Sequence, residues 1–177
     1  MSAVRLALLV LLSAQPAHGY ALKQRFERVV GDVWPLNVGQ VYDALAKLER
    51  DGLIEPDGER AGARVAYRTT AGGVEAARAW LTAVPAVDPP PRDELAIRML
   101  VARLADPAEL GAIVQHQRQA VIGRIQQLGR EKAVATAAGD DSRVALLDLL
   151  LLRSDADARW LDLLESRFTA TRRDRSR

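Results

Sequence analysis

Residues 16–73, PAHGYALKQRFERVVGDVWPLNVGQVYDALAKLERDGLIEPDGERAGARVAYRTTAGG, decide the fold. Pro16 closes a preceding helix, and His18-Gly19 makes a turn. From about Tyr20 to Val30, Leu22, Phe26, Val29 and Val30 share one helical face, while Lys23, Gln24 and Arg28 point away from it. Gly31 supplies a C-terminal cap that needs positive φ. Trp34-Pro35 forces an extended segment, since a residue before proline avoids the helical region. Asn37 then offers a side-chain oxygen to the free amides of a third helix, expected from about Val38 to Asp51 and ended by Gly52. Its inward row is Val41, Leu45 and Leu48, with Leu53 following; its outward row includes Gln40, Asp43, Lys47 and Arg50.

Leu53–Pro56 and Val65–Arg68 read as two short strands around the loop DGERAGA. Thr69 or Thr70 then caps a fourth helix that runs to about Val84, with Val74, Ala77, Trp80 and Leu81 inside. Two helices around a tight connection, followed by a two-stranded hairpin, predict a winged helix-turn-helix.

Working outward, MSAVRLALLVLLSAQPA precedes this stretch and imitates a secretory signal, with one Arg, an apolar run and small residues. Val4, Ala7, Leu8, Leu11 and Leu12 also recur at helical spacing, and we expect a buried helix that ends at about Ala14, because the following helices need an apolar partner. The run is too short to span a membrane. After the fourth helix, PAVDPPPRD cannot continue any helix. The expected organisation is therefore a winged-helix domain at 1–84, a Pro-rich linker at 85–91 and a helical domain at 92–177.

The helical domain starts with a helix over about Arg92 to Leu104, carrying Leu95, Met99 and Leu100 on one face. A second helix opens at the Asp106-Pro107 cap and lasts to about Ala138, with Leu110, Val114, Gln117, Val121, Arg124 and Leu128 stepping by four and three. A third, capped by Asp140 to Ser142, runs from about Asp141 to Thr171 along Val144, Leu147, Leu151, Ala158, Leu161, Leu164 and Phe168. Helices of about 30 residues are roughly 45 Å long, and so short a domain cannot bury them by itself. The near-heptad spacing points to a homodimer. The fold class is mainly α: a winged helix-turn-helix plus a coiled-coil-like helical dimerisation domain.

Composition excludes more than it assigns. The chain has 177 residues, 49% hydrophobic, with no cysteine, so disulfide scaffolds, thiolate metal sites and thiol nucleophiles are ruled out. Absence of cysteine suits a reducing cytoplasm, and no membrane partner is expected. The net charge of +2 divides evenly between residues 1–84 and 85–177, so any electrostatic attraction must come from local placement. The only histidines are His18 in the turn and His116 on a helix face. Neither belongs to a metal-binding or nucleophile motif, so no enzyme, cofactor or metal is expected.

In a helix-turn-helix the second helix lies in the major groove, with its N-terminal residues at base edges. That places Asn37, Gln40, Tyr42, Asp43 and Lys47 nearest DNA, with Gly39 allowing close backbone approach. Gln40 can read adenine bidentately, and Lys47 can contact guanine or phosphate. Arg60 and Arg64, beside Gly62 at the hairpin tip, suit a minor groove or phosphate ridge. Tyr20, Lys23 and Arg28 can clamp phosphates from the second helix, although Tyr20 serves equally as a core aromatic with a wet hydroxyl. Each of these features has a plain counterpart, a solvated helix face or a soluble hairpin tip. The alternative function is a winged-helix module that binds a protein with the same surface.

The segments HGY at His18–Tyr20, GQVYDALAKLERDGLI at Gly39–Ile54 and YRTTAGG at Tyr67–Gly73 together resemble the PadR family of bacterial transcriptional regulators. Asn37 and Val38 depart from the Ser and Pro that the family commonly shows there. The resemblance covers the first 84 residues well and the remainder more loosely, in the manner of longer-tailed members. It implies a dimeric regulator, usually a repressor, that binds double-stranded DNA at an inverted repeat. It also implies release by a small aromatic or amphipathic effector. Trp34, Trp80 and Trp160 are candidates for the walls of an effector pocket, although ordinary core packing is the first reading of each.

Overall fold

The computed structural model describes residues 2–58, 65–85, 92–105 and 109–174. Contacts divide the chain into two compact units, Met1–Ala86 and Val87–Arg177. The first unit runs α1 (Ala3–Ala14), β1 (Ala17–His18), α2 (Gly19–Val30), a 3-10 turn over Gly31–Val33, α3 (Val38–Arg50), β2 (Ile54–Pro56), β3 (Ala66–Thr69) and α4 (Ala71–Thr82). The second is all helix: α5 (Glu94–Ala105), α6 (Leu110–Ala137) and α7 (Asp141–Asp174).

The core of the first unit is built where the amphipathic faces meet. Leu8, Leu9 and Leu12 of α1 pack with Leu22 and Phe26 of α2, Val41, Leu45 and Leu48 of α3, and Ile54 of β2. The apolar run that imitates a secretory signal is thus the central helix of this core, touching α2, α3, α4 and β3. Fully burying a Leu or Val side chain stabilises a fold by about 1.5–3 kcal/mol, so α1 holds the domain together.

Three details depart from expectation. The sheet has three strands in the order β1-β3-β2, not two. Ala17 pairs with Tyr67 and His18 with Ala66, on the β3 edge opposite the Ile54–Thr69 ladder. A two-residue strand is too short to show alternation, so the expected turn at His18-Gly19 becomes a strand end and helix cap. The His18 Nδ1 accepts from the Ala21 amide at 3.2 Å and starts α2. Val29, expected inside, is exposed. In α4 the inward residues are Gly73 and Ala77, while Val74 and Leu81 are exposed. The cause is the close approach of α4 to Leu53. A Cβ on Gly73 would lie 2.0 Å from the Leu53 carbonyl oxygen, so the helix can turn only its bare side to the segment that leads into β2. Thr70, rather than Thr69, is the cap: its Oγ1 accepts from the Gly73 amide at 3.1 Å and donates to the Gly52 carbonyl at 2.8 Å.

In the second unit α6 and α7 form a long helical hairpin, turned at Gly139 with φ 68°. Asp140 Oδ1 accepts from the Arg143 amide at 2.9 Å and caps α7. Met99, Leu110, Val114, Leu161 and Leu164 make its main core cluster. The Asp106-Pro107 cap expected for α6 lies outside the described residues, as does the Phe168 side chain. Arg118 of α6 bridges Asp162 and Glu165 of α7 at 2.6 and 2.7 Å. Lys132 pairs with Asp148 at 2.5 Å.

Candidate nucleic-acid interface

The surface in question is built on α3, whose inner face of Val41, Ala44, Leu45 and Leu48 is locked into the core. The same 3.6-residue period leaves Gln40, Tyr42, Asp43, Ala46, Lys47 and Arg50 outside. The helix begins with a reciprocal capping box. The Gln40 amide donates to Asn37 Oδ1 at 2.8 Å, and the Asn37 amide donates to Gln40 Oε1 at 3.1 Å. Two otherwise orphaned backbone donors are satisfied in this way, typically worth about 1 kcal/mol to a helix. Trp34 and Pro35 stay exposed, so the connection from α2 contributes only Leu36 to the core.

The other expected residues fall at distinct places. Tyr20 lies in the first turn of α2, half-exposed at 53%. Tyr42 lies beside Gly19, where a Cβ would come within 2.9 Å of its ring. The buried Gly19 therefore lets α2 and α3 meet closely, with Tyr42 covering the gap while remaining 44% exposed. Lys23 is ion-paired with Glu27 one turn on, whereas Arg28 is exposed in the last turn of α2. Asp43 and Lys47 form an exposed pair at 3.4 Å. Arg60 and Arg64 lie outside the described residues.

Two basic residues that pattern reading passed over have structural work. Arg25 donates to the Gln15 carbonyl at 2.9 Å and to its side-chain oxygen at 3.0 Å, tying α2 to the end of α1. Arg5 of α1 is bonded to Asp51 at the end of α3. That guanidinium holds the Asp51 carboxyl below its ordinary range, with Arg50 adding to the effect. On the hairpin, Arg68 of β3 is exposed but flanked by Glu55 at 2.7 Å and Asp57 at 3.8 Å. Only cross-strand register reveals that pairing. Of the three tryptophans, Trp34 and the half-buried Trp80 of α4 belong to the first unit. Trp160 of α7 packs against the Met99 cluster of the second. A cavity of about 440 Å³ lies at the α6–α7 turn, lined among others by Arg130, Val134, Ala138 and Arg143, with none of the tryptophans in its wall. Among the described residues no group of His, Asp and Glu is placed to hold a metal, and no helix is long and apolar enough to cross a membrane.

The sequence profile of the Transcriptional regulator PadR-like family matches residues 8–79, from the core of α1 through most of α4. These residues are similar to a PadR-like domain. Solved structures extend the likeness along nearly the whole length of the chain. PadR of Bacillus subtilis in complex with operator DNA is 19% identical, with 94% of this chain and 99% of that chain covered and a TM-score of 0.71. The same protein in complex with p-coumaric acid is 20% identical, covers 94% and 98%, and has a TM-score of 0.70. The Vibrio cholerae virulence activator AphA is 20% identical, covers 96% and 99%, and has a TM-score of 0.67. No curated protein sequence matches the chain. At such identities the likeness, helical tail included, is one of fold alone.

Proposed function

We propose that this PadR-like protein is a cytoplasmic, homodimeric transcriptional regulator that binds an inverted-repeat operator with α3 and represses from it. The observation that carries this reading is the two-faced build of α3. Its apolar row is fixed in a rigid core, and its opposite row presents Gln40, Tyr42, Asp43 and Lys47 to solvent. A reading helix must be held at a set angle by residues behind it, and α3 is held by a core that includes α1, α2 and β2. Asn37 and Gly39 at its start complete the base-facing end. Tyr20, Lys23 and Arg28 of α2, with Arg60 and Arg64 of the wing, serve the phosphates and a neighbouring groove.

In a two-fold dimer two copies of α3 sit about 34 Å apart and enter successive major grooves. Phosphate contacts supply affinity and salt dependence, while α3 supplies base choice. The solved complexes of the B. subtilis protein with operator DNA and with p-coumaric acid support the pairing of both ligand types on this fold. For this chain the effector is a small aromatic or amphipathic molecule, with Trp34, Trp80 and Trp160 as candidate contacts. It acts by binding one spacing of the reading helices better than another.

The test is salt-titrated binding of the full-length protein to DNA from its own upstream region, against a random duplex of equal length. The expected result is tighter binding to the upstream DNA, falling steeply with salt and lost in the Gln40→Ala, Lys47→Ala variant while its oligomeric state persists. Equal, weak binding to both duplexes, together with a protein ligand whose binding needs Gln40 and Lys47, would replace this reading with the protein-interaction module.

A further inference from the structure

We propose that Asp43 sets the specificity of α3 by weakening its hold on wrong DNA, a role that rests on α3 being the DNA-reading helix. At 3.6 residues per turn, Gly39, Asp43, Ala46 and Arg50 fall on one line of α3, opposite the buried Val41, Ala44, Leu45 and Leu48, and all four are exposed. A helix held from behind by its apolar face carries this line deepest into a groove. Ahead of Arg50 the line is low in relief. A Cβ on Gly39 would touch only Asn37 Oδ1, at 3.3 Å, and Ala46 ends in a methyl group. Arg50, near the far end, is drawn to Asp51 at 3.3 Å. The Asp43 carboxylate, its side chain 76% exposed, is therefore the one polar side chain on the deepest line ahead of Arg50.

A carboxylate in that place works against affinity for DNA in general. It has no hydrogen to donate, and it approaches a surface of negative phosphates. Most base atoms at the major-groove edge are acceptors as well: N7 of both purines, O6 of guanine and O4 of thymine. Only the exocyclic amines of adenine and cytosine donate there. Where such an amine stands within reach, a charge-assisted hydrogen bond offsets the repulsion; elsewhere the carboxylate faces acceptors and phosphates alone. A repulsion confined to wrong sequences raises discrimination as fully as an attraction confined to the right one. Lys47 does not cancel it. Its half-exposed ammonium lies 3.4 Å from Asp43, one turn on, in a pair that salt and phosphates loosen. Lys47 thus adds affinity for any duplex, and Asp43 subtracts it from those without a placed amine.

The experiment measures binding of full-length wild type, Asp43→Asn and Glu75→Gln to two duplexes of equal length at fixed salt, one enriched from a random pool by the wild type and one unrelated. Asparagine keeps the shape and a carbonyl acceptor but not the charge, and at so exposed a position Asp43→Asn should melt like the wild type. It is expected to bind the unrelated duplex about 10-fold tighter and the enriched duplex within about 3-fold of the wild type, so that discrimination falls. Glu75→Gln removes the same charge from the exposed side of α4 and should leave both affinities within about 2-fold. In a Lys47→Ala background Asp43→Asn should give the same gain on the unrelated duplex, because the carboxylate acts on DNA itself. Disappearance of the gain there would make Asp43 an anchor for Lys47 alone. An equal gain on both duplexes, an equal gain in Glu75→Gln, or no gain at all would equally overturn the specificity role, with the DNA reading intact. Failure of the wild type to enrich any sequence ends both.

Discussion

A methyl group added to Gly73 would sit 2.0 Å from the Leu53 carbonyl oxygen, a backbone atom that cannot swing aside. That oxygen also accepts from the Thr70 amide at 3.1 Å, so moving it disturbs the strand and the cap together. Gly73→Ala is expected to destabilise the protein by about 2–4 kcal/mol in urea or thermal unfolding, as backbone displacement in a packed site does. Its neighbour is the control. A Cβ on Gly72 meets only Thr70 Oγ1, at 3.9 Å, and Gly72→Ala should be neutral or stabilising by up to about 1 kcal/mol through helix propensity. Equal losses in the two variants would show that helix start, not close approach, is what glycine serves here. The motif TTAGG was legible as a helix opening; the separate duties of its two glycines were not, because the partner of Gly73 lies 20 residues away on another element.

At the scale of elements, the seam of α7 shows how hydrophobic pattern can miss its own register. Leu147, Leu150, Ser154, Leu161 and Leu164 are buried, spaced by threes and fours, and the next position in that series after Ser154 is Asp157. Reading apolar residues alone selected Leu151 and Ala158, which are half-buried flanks, because a Ser and an Asp in the seam carry no apolar signal. Ser154 is satisfied by donating to the Leu150 carbonyl at 2.9 Å. Asp157 is less comfortable: burial, then the nearby Asp93, push its carboxyl above the ordinary range, with Arg124 only partly opposing them. A carboxyl with a raised folded-state pKa costs stability once ionised. The cost is absent below its unfolded-state pKa and fully present above the folded one. Asp157→Asn should therefore raise Tm by a few degrees at pH 7, and the gain should fade as the pH falls into the ordinary carboxylate range. Thermal melts at the two pH values decide it, since a gain of the same size at both would exclude ionisation as the cause.

For the whole molecule, the proposed dimer asks for apolar surface that one chain leaves uncovered. Ile97, Leu100, Val101 and Leu104 of α5 form an exposed stripe at helical spacing, with Leu104 83% exposed, while Met99 on the opposite side is buried. Leu100→Glu with Leu104→Glu should raise the dimer dissociation constant at least about 100-fold in sedimentation equilibrium, with helicity unchanged. A dimer that survives would have to be held by another face. What the sequence determined by itself was every α-helix among the described residues, both hairpin strands and the polar face of α3, because periodicity, caps and proline are local signals carried within one turn or strand. The third strand, the rotation of α4 and the polar seam of α7 were decided only by tertiary structure, because each depends on a partner distant in the chain. So was the turn of the Gln40 oxygen onto the Asn37 amide: the cap residues are three apart and visible in sequence, but whether Gln40 turns its acceptor inward or outward is a matter of three-dimensional geometry.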